Sequence, residues 1–238
     1  MVPKLPNFGT IPPVHPSNVR AIEGLKVVIM LEVGASNQSS QSVKRMPEPA
    51  EVSLIRRCQE GREDAFRELM EKYQRRVYWI AFNMLSNYDT AREIAQEAFI
   101  RVFRNIARFD VKKNFYTWLY QITVNLCIDR MRKLSHGKTV DIDGIGGLAD
   151  PGPRDPAESG ERTETRARVH QALDRLPPKY KAVLTLRDIQ GFSCEEIAEI
   201  VGCTNATVRW RLHRARKLFR AIWEGKGVEI GDDSDVGF

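Results

Sequence analysis

The residues with nucleophilic or metal-binding chemistry are scattered along the 238-residue sequence. The four cysteines contain no C-x-x-C pair, the four histidines form no cluster with them, and no carboxylate cluster is evident. This spacing predicts no catalytic site, no metal and no cofactor, and cysteines without a pairing pattern indicate a reducing cytoplasm. The cysteines are Cys58, Cys127, Cys194 and Cys203.

Two weaker signals point to other chemistry. The segment from Gly137 to Thr139 resembles the end of a phosphate-binding loop, but Arg132 stands where such a loop needs its first glycine. The sequence therefore excludes a nucleotide site of that kind. Cys194 and Cys203 are predicted to be small buried residues, with a redox switch through the pair as the alternative.

The polar residues near the C terminus carry a stronger signal. No acidic residue lies between Thr204 and Arg220, although Lys and Arg outnumber Asp and Glu by only 37 to 31 in the whole sequence. The net charge of +6 favours a polyanionic partner, with a solvated basic helix face as the alternative interpretation of this segment. The polar face of the predicted helix comprises Asn205, Thr207, Arg209, Trp210, Arg211, His213, Arg214, Arg216 and Lys217.

The residues just before this face have the signals of a helix-turn-helix. Ser193 and Glu196 are spaced as a capping box that begins a short helix, and Gly202 suits the left-handed residue that ends it. Thr204 then caps a second helix whose apolar residues recur at three and four positions. We therefore predict DNA binding from Ser193 to about Arg220. The predicted base contacts are Arg209, Trp210, His213 and Arg214, and the predicted phosphate contacts are Arg211, Arg216 and Lys217.

The elements that position this segment are predicted to be helices throughout. Apolar residues recur at spacings of three and four in two long stretches, and no alternating strand pattern interrupts them. The predicted fold class is therefore all-α, with two small helical domains joined by a flexible linker. Met30 and Met46 leave open whether translation starts later than residue 1. The predicted divisions are a flexible extension at 1–50, a bundle of about four helices at 51–134, the linker at 135–160, the helix-turn-helix domain at 161–223 and a disordered tail at 224–238.

The linker sets how far apart the two domains can act. It is rich in glycine and proline, which favour no regular element. At about 3.4 Å per extended residue it would span roughly 90 Å, more than two turns of duplex at about 35 Å each. The two domains could therefore touch well-separated sites on one DNA molecule.

Four motifs in order give the sequence a family resemblance. They are the stretches Asp64–Met70, Ile94–Phe103, Asn114–Asn125 and Leu176–Arg216. From Glu51 to Arg220 the sequence resembles the alternative sigma factors of bacterial RNA polymerase, of the extracytoplasmic-function type in the sigma-70 family. The resemblance implies that the first domain corresponds to sigma region 2 and the second to region 4, whose helix-turn-helix reads the minus-35 promoter element.

The resemblance also implies a docking helix for core polymerase. In such factors the first domain binds the clamp coiled coil of the polymerase's largest subunit, and the matching segment here runs from about Thr90 to Ile106. Mixed polar and apolar residues on one face suit a partner helix, with a plain surface stripe as the alternative. The implied docking residues are Glu93, Gln96, Glu97, Ile100 and Arg104.

The loop and helix that follow resemble the part that opens the minus-10 element. There an unpaired base leaves the stack, aromatic rings stack on single strands, and an asparagine amide can pair with a base edge. Lys112 and Lys113 stand where we expect a less basic, glycine-containing stretch in many relatives, so the preferred base stays open. For Phe115, simple core packing is the favoured alternative. The implied minus-10 residues are Phe109, Lys112, Lys113, Asn114, Phe115, Tyr116, Tyr120, Asn125, Arg130 and Arg132.

The implied function is that of an alternative sigma factor, a non-enzymatic subunit that directs core RNA polymerase to promoters and helps to open them. The expected partners are promoter DNA and core polymerase, through its clamp and its flap, with an anti-sigma factor as a further candidate. The apolar run at 25–31 is too short for a membrane span, so we expect a cytoplasmic protein, nucleoid-associated within the holoenzyme. The alternatives are a self-sufficient DNA-binding regulator, whose first bundle senses a ligand or dimerises, and an enzyme acting on nucleic acid.

Overall fold

The computed structural model describes residues 48–137 and 160–226, and every regular element in these ranges is helical. The predicted all-α fold class is confirmed. The predicted extension up to residue 47, the linker from 138 to 159 and the tail from 227 lie outside the described residues. Within the described ranges, no helix combines the length and the apolar character needed to cross a bilayer.

The first lobe, residues 48–137, contains four α-helices. Helix α1 spans Pro49–Gln59, α2 spans Glu63–Leu85, α3 spans Tyr88–Asn105 and α4 spans Phe115–Gly137. A single 3-10 turn, Ile106–Arg108, follows α3 and leads into the loop before α4. The apolar residues at spacings of three and four thus fold as the amphipathic helices that this pattern predicts.

Helix α2 forms the centre of the first lobe. Every side chain from Val77 to Met84 is buried, because α1, α3 and α4 all pack around α2. Tyr73 of α2 also packs on Phe115 at the start of α4, with ring centroids 5.5 Å apart. A helical segment buried on all sides, as this half of α2 is, belongs to a core rather than to a binding surface. It holds α3 and α4, which carry the implied contact residues of this lobe.

The turn between α2 and α3 uses a left-handed residue. Ser86 has φ 54°, and the side chain of Asn87 caps α3 by accepting from the backbone N–H of Thr90 at 2.8 Å. The sequence predicts a break at this point. Because the turn ends α2 sharply, α3 folds back along α2 and forms the largest helix-to-helix contact in the lobe.

The second lobe, residues 160–226, contains four further helices. Helix α5 spans Gly160–Asp174, α6 spans Pro178–Leu184, α7 spans Cys194–Val201 and α8 spans Asn205–Trp223. Between α6 and α7 lies a π-helical segment, Thr185–Ile189. Helices α6, α7 and α8 pack together, and α5 lies against α8.

Several local details differ from the sequence prediction. The sequence predicts one regular helix up to Gln190, but the backbone N–H of Gln190 donates to the carbonyl of Thr185, five residues back, as in a π-helix. Helix α1 begins at Pro49 rather than at residue 51, because proline needs no hydrogen bond for its missing N–H in the first turn. Helix α4 continues to Gly137, three residues beyond the predicted boundary at 134.

The two lobes pack against each other. Helix α4 of the first lobe contacts α6 and α7 of the second, and α2 contacts α5. The sequence alone did not predict this contact, because no local pattern sets the distance between two domains that are separated by a glycine- and proline-rich segment.

Candidate nucleic-acid interface

The helix-turn-helix begins at the capping box that the sequence predicts. Oγ of Ser193 accepts from the backbone N–H of Glu196 at 3.2 Å, and Oε2 of Glu196 accepts from the backbone N–H of Ser193 at 2.8 Å. These reciprocal bonds satisfy two donors that the first turn of α7 would otherwise leave unpaired. Gly202 has φ 68° and ends α7 in the left-handed conformation that glycine adopts without strain.

A second cap begins α8, the candidate reading helix. Oγ1 of Thr204 accepts from the backbone N–H of Thr207 at 3.1 Å. Arg209, His213 and Lys217, at intervals of four, are all exposed along one side of the helix. Trp210 beside them is 47% exposed. The water-facing side of α8 is therefore basic and carries one accessible aromatic ring.

Arg211, predicted to contact a phosphate, is buried instead, with 1% of its surface exposed. It follows Val208 by three positions and precedes Ala215 by four, so it lies on the apolar stripe of α8. Its guanidinium donates to Sγ of Cys203 at 3.8 Å. The predicted phosphate contact of Arg211 is wrong, because position on the helix, rather than charge, decides which side chains are buried.

Arg216, the second predicted phosphate contact, is held by an ion pair within the lobe. Its Nη2 lies 2.7 Å from Oδ1 of Asp188 and its Nε lies 3.1 Å from Oδ2. The Asp188 side chain is only 5% exposed, and a buried carboxylate requires such a partner. Arg216 therefore joins α8 to the π-helical segment, and this use competes with contact to DNA.

A basic pocket of about 840 Å³ opens in the first lobe between the end of α3, the following loop and α4. Its lining includes Phe109 and Trp118, whose rings are stacked with centroids 4.8 Å apart and planes at 27°. The positive charge of the lining comes from Arg101, Arg108, Lys112 and Lys113. A pocket with cationic and aromatic walls has the chemistry to hold a phosphate chain and an unstacked base.

The structure brings only some of the implied minus-10 residues together. The segment Lys112–Asn114 lines the basic pocket with Phe109. Asn125, Arg130 and Arg132 are exposed farther along α4 and do not contribute to the lining. The loop residues therefore form one group and the α4 residues another.

Two of the implied aromatic contacts are closed to solvent. Phe115 is fully buried, with its ring centroid 5.5 Å from Tyr73 and 5.6 Å from Phe109. Its role is therefore core packing, and the implied DNA contact of Phe115 is wrong. Tyr120 is 2% exposed and packs on Phe192 of the second lobe at 5.5 Å.

Tyr116, another implied minus-10 residue, is engaged by the helix-turn-helix. Its hydroxyl donates to Oε1 of Glu196 at 2.9 Å, while Oε2 of the same carboxylate completes the capping box with Ser193. Burial, together with this hydrogen bond, raises the pKa of Tyr116 to about 12. The phenol therefore stays protonated and able to donate at neutral pH.

Sequence reasoning missed the pocket residues that the helices contribute. Arg101 and Asn105 are four residues apart on one face at the end of α3, and Arg108 follows three residues later in the 3-10 turn; all three line the pocket. This spacing was visible in the sequence, and it extends the positive charge of the loop residues. Thr117 and Gln121 of α4 complete the opposite wall.

The five implied docking residues of α3 are all exposed or partly exposed. Oε1 of Glu97 accepts from Nε of Arg101 at 2.9 Å, and Oε2 of Glu93 lies 3.7 Å from Nη2 of Arg130. Ile100 is partly exposed among these charges. An accessible apolar residue inside a polar face is the pattern expected of a helix that meets a partner.

Known sequence families match both lobes. Residues 69–136 match Sigma-70 region 2, and residues 166–219 match Sigma-70, region 4. The first range covers most of the described first lobe and the second range includes the whole helix-turn-helix.

Curated relatives match across both lobes at once. The chain is 38% identical over 176 residues to the ECF RNA polymerase sigma factor SigW of Bacillus subtilis, a match that covers 70% of this chain and 92% of SigW. The chain belongs to the extracytoplasmic-function (ECF) sigma factors. It is also 34% identical over 171 residues to the RNA polymerase sigma-H factor of Pseudomonas aeruginosa, covering 69% of this chain and 89% of that one. As an ECF sigma factor it is a promoter-specific transcription initiation factor that binds core RNA polymerase and promoter DNA.

Solved structures share the helical fold. CnrH, in complex with the cytosolic domain of CnrY, aligns with a TM-score of 0.56 at 22% identity, covering 75% of this chain and 99% of CnrH. The sigma factor RpoE, in complex with the anti-sigma factor NepR from Bartonella quintana, aligns with a TM-score of 0.53 at 21% identity, covering 67% and 96%. The family and the fold class that the sequence predicts are both confirmed.

Proposed function

We propose that this ECF sigma factor divides promoter recognition between its lobes. The helix-turn-helix reads the minus-35 element, and the basic pocket holds an unpaired part of the minus-10 element. The observation that carries the proposal is the water-facing side of α8, which is basic and contains no acidic residue from Thr204 to Arg220. A helix of this charge fits the major groove, where one arginine can bridge two acceptors of a guanine.

The roles within α8 follow from exposure and from distance to its N terminus. The first turns of a reading helix approach base edges, and its flanks meet phosphates. Lys217, farther along the exposed side, suits a phosphate. We leave Arg211 out because it is buried, and Arg216 because it is paired with Asp188. The proposed base-reading residues are Arg209, Trp210, His213 and Arg214, with Asn205 and Thr207 at the start of the helix.

In the first lobe, the pocket offers cations for phosphates and aromatic rings for bases. The four cations of its lining suit the phosphates of an opened strand, and the stacked pair Phe109 and Trp118 offers an aromatic wall. Asn114 adds an amide that can pair with a base edge. Asn125, Arg130 and Arg132 then contact the strand farther along α4. Tyr116 and Tyr120 lie between these two groups on α4.

Helix α3 is the proposed docking surface for the clamp of core polymerase. Glu93, Gln96 and Arg104 are exposed, and Glu97 and Ile100 are partly exposed, so one helix face offers charges around a small apolar centre. Such a face can lie along a partner helix. The polymerase performs the chemistry, and this chain contributes recognition without catalysis of its own. The second lobe meets the flap, and an anti-sigma factor is a further candidate partner.

The proposed division of the chain follows the same roles. Residues 51–134 act as region 2, residues 161–223 act as region 4, and the linker at 135–160 joins them. The segments 1–50 and 224–238 have no assigned part in promoter recognition. Within the holoenzyme the protein acts at the nucleoid.

A selection of upstream sequences tests the assignment of α8. Core polymerase with the full chain selects promoters from a library randomised in the minus-35 element, and the selection is repeated with Arg209→Ala, Arg214→Ala and Lys217→Ala. Each arginine variant should lose about 1–3 kcal/mol of discrimination between bases at one position of the minus-35 element. Lys217→Ala is the matched control. It should weaken binding evenly for all sequences and reduce the slope of log affinity against log salt concentration by about one. Unchanged base preference in both arginine variants would remove the assignment.

A further inference from the structure

The side chain of Gln59, the last residue of α1, holds the chain that leads into the basic pocket. Its Nε2 donates to the carbonyl oxygen of Ile106 at 3.0 Å and to that of Phe109 at 2.8 Å. This nitrogen carries two hydrogens, so one amide group can serve both carbonyls. The two carbonyls belong to the first residue of the 3-10 turn and to the residue directly after it. Gln59 therefore clamps both ends of this turn from 47 and 50 positions away.

Residues 109–113 form a compact turn, the pocket turn, which carries two of the pocket cations. The backbone N–H of Lys113 donates to the carbonyl of Asp110 at 2.9 Å, and the backbone N–H of Lys112 donates to Oδ1 of the same aspartate at 3.0 Å. Both bonds lie within the turn, so they set its shape without joining it to a helix. The bond from Gln59 supplies such a join at the first residue of the turn.

The ring and the backbone of Phe109 are held from different sides. The ring is stacked on Trp118 at 4.8 Å and meets Phe115 edge-on at 5.6 Å, so its contacts are with α4. The backbone is held by Gln59, and α1 packs against the 3-10 turn next to it. Gln59 is partly exposed and does not belong to the pocket lining. It thus supports the pocket from behind, at a place where it need not touch a bound strand.

We propose that Gln59 is a positioning residue for strand binding, through which α1 keeps Phe109, Lys112 and Lys113 in the arrangement that receives an unpaired strand. This inference rests on the proposed function of the pocket. It adds that a side chain outside the pocket sets the fraction of molecules whose pocket turn is ready to bind. The apparent Kd of a ligand rises as that fraction falls. Loss of the two hydrogen bonds of Gln59 should therefore weaken strand binding without removing any contact to the strand.

A methionine at position 59 tests the hydrogen bonds with little change of shape. Methionine has nearly the length of glutamine, but its thioether has no hydrogen to donate to the two carbonyls. Gln74→Met on α2 is the matched control for Gln59→Met. Gln74 is also partly exposed, and its side chain makes no hydrogen bond to another residue that the structure describes. A second variant, Gln59→Lys, restores a donor, because an ammonium has three hydrogens and can reach both carbonyls.

Binding is measured by titrating the full chain and its variants into a short, fluorescein-labelled single-stranded DNA of mixed sequence. Gln59→Met should bind about five-fold more weakly than the wild type, the factor that corresponds to the net strength of one hydrogen bond. Gln74→Met should bind as the wild type does. Lys113→Ala should also bind more weakly, and it should reduce the slope of log affinity against log salt concentration by about 0.7. Gln59→Met should keep the wild-type slope, because its bound form makes the same phosphate contacts.

Amide hydrogen exchange, followed by mass spectrometry of peptides, separates positioning from a general loss of stability. In Gln59→Met the backbone N–H groups of Phe109 and Lys113 should exchange faster, because the bonds that protect them open more often. The buried half of α2, from Val77 to Met84, should keep its wild-type exchange. Gln59→Lys should restore slow exchange in the pocket turn. Equally faster exchange in α2 and in the pocket turn would show a merely structural role and would overturn the inference.

The outcomes distinguish this inference from the function on which it rests. Weaker binding by Lys113→Ala together with wild-type binding by Gln59→Met would overturn the positioning role and leave the proposed function intact. Weaker binding by Gln59→Met with unchanged exchange in the pocket turn would also overturn it. If Lys113→Ala binds the strand as the wild type does, the pocket is not the strand site, and both the positioning role and the proposed minus-10 role are wrong.

Discussion

Nζ of Lys181 lies 2.5 Å from Oδ1 of Asp174, and the two partners of this ion pair differ sharply in exposure. The lysine side chain is 3% exposed and the aspartate side chain is 42% exposed. Burial lowers the pKa of Lys181 below its ordinary value of 10.5, although the Asp174 carboxylate opposes the shift. Asp174 also accepts from Ser86, so this aspartate serves both the second lobe and the contact between lobes.

This asymmetry predicts opposite effects of removing the two partners. Lys181→Met should leave the free energy of unfolding unchanged or raise it by about 1 kcal/mol, because the exposed Asp174 returns to water. Asp174→Ala should lower it by about 3 kcal/mol, since it leaves a buried ammonium without its partner. Urea unfolding followed by circular dichroism measures both values. Equal losses in the two variants would contradict this explanation.

The lowered pKa of Lys181 also predicts how the free energy of unfolding changes with pH. A lysine whose pKa is lowered by folding contributes stability at pH values above its unfolded pKa, and that contribution is lost as the pH falls through the folded pKa. The free energy of unfolding of the wild type should therefore fall, relative to Lys181→Met, as the pH is lowered from about 10.5. A difference between the two proteins that is constant with pH would contradict the lowered pKa.

Adjacent cations on α8 should have separable effects. Arg216 holds Asp188 in a bidentate pair, whereas Lys217 is exposed. Arg216→Ala should therefore cost about 2–3 kcal/mol of stability, because Asp188 keeps a buried charge. Lys217→Ala should cost less than about 0.5 kcal/mol and act on DNA binding alone. Thermal unfolding compares the two, and a stable Arg216→Ala protein would show that the ion pair is dispensable.

The thiols should fall into two classes of reactivity. Cys58 and Cys127 are buried, and burial raises the pKa of Cys58 to about 11 and that of Cys127 further above its usual range. Cys194 and Cys203 are partly exposed, although burial also raises the pKa of Cys203. Thiolate is the reactive form, so a disulfide reagent at mildly alkaline pH should modify Cys194 first and spare the buried pair. Mass spectrometry of the labelled peptides measures the order in which the thiols are modified. Rapid labelling of Cys127 would contradict the prediction.

The sequence predicted those parts of the fold and the site that depend on local patterns. Helix periodicity located the bundle, and the residue types at Ser193, Gly202 and Thr204 predicted the caps and the turn that the structure contains. Arg211 and Phe115 were assigned wrongly for a common reason. Charge and aromaticity describe what a side chain can bind, whereas burial depends on its neighbours in three dimensions.

The remaining features depend on contacts between distant residues. The basic pocket combines the end of α3, a loop and α4, so only the loop part was recognisable as one stretch. The hydrogen bonds between the lobes join Tyr116 to Glu196 and Ser86 to Asp174, 80 and 88 positions apart, and no local pattern encodes them. The bidentate pair of Arg216 and Asp188, 28 positions apart, was hidden for the same reason.

We propose that this protein reads two promoter elements and docks on core polymerase through α3. Single variants can separate these three activities. Arg209→Ala should change preference in the upstream element only, and Lys113→Ala should reduce strand opening only. Arg104→Ala should weaken binding to core polymerase and so lower transcription from every promoter. Arg75→Ala, which removes an exposed arginine of α2 rather than of α3, should not.

The most direct measurement is transcription in vitro on a genomic promoter library, by core polymerase with this chain as the sole sigma factor. We predict start sites at a limited set of promoters that share an upstream and a downstream element at fixed spacing, with the upstream preference altered in Arg209→Ala. Failure to initiate with core polymerase, or start sites without a shared upstream element, would contradict the account.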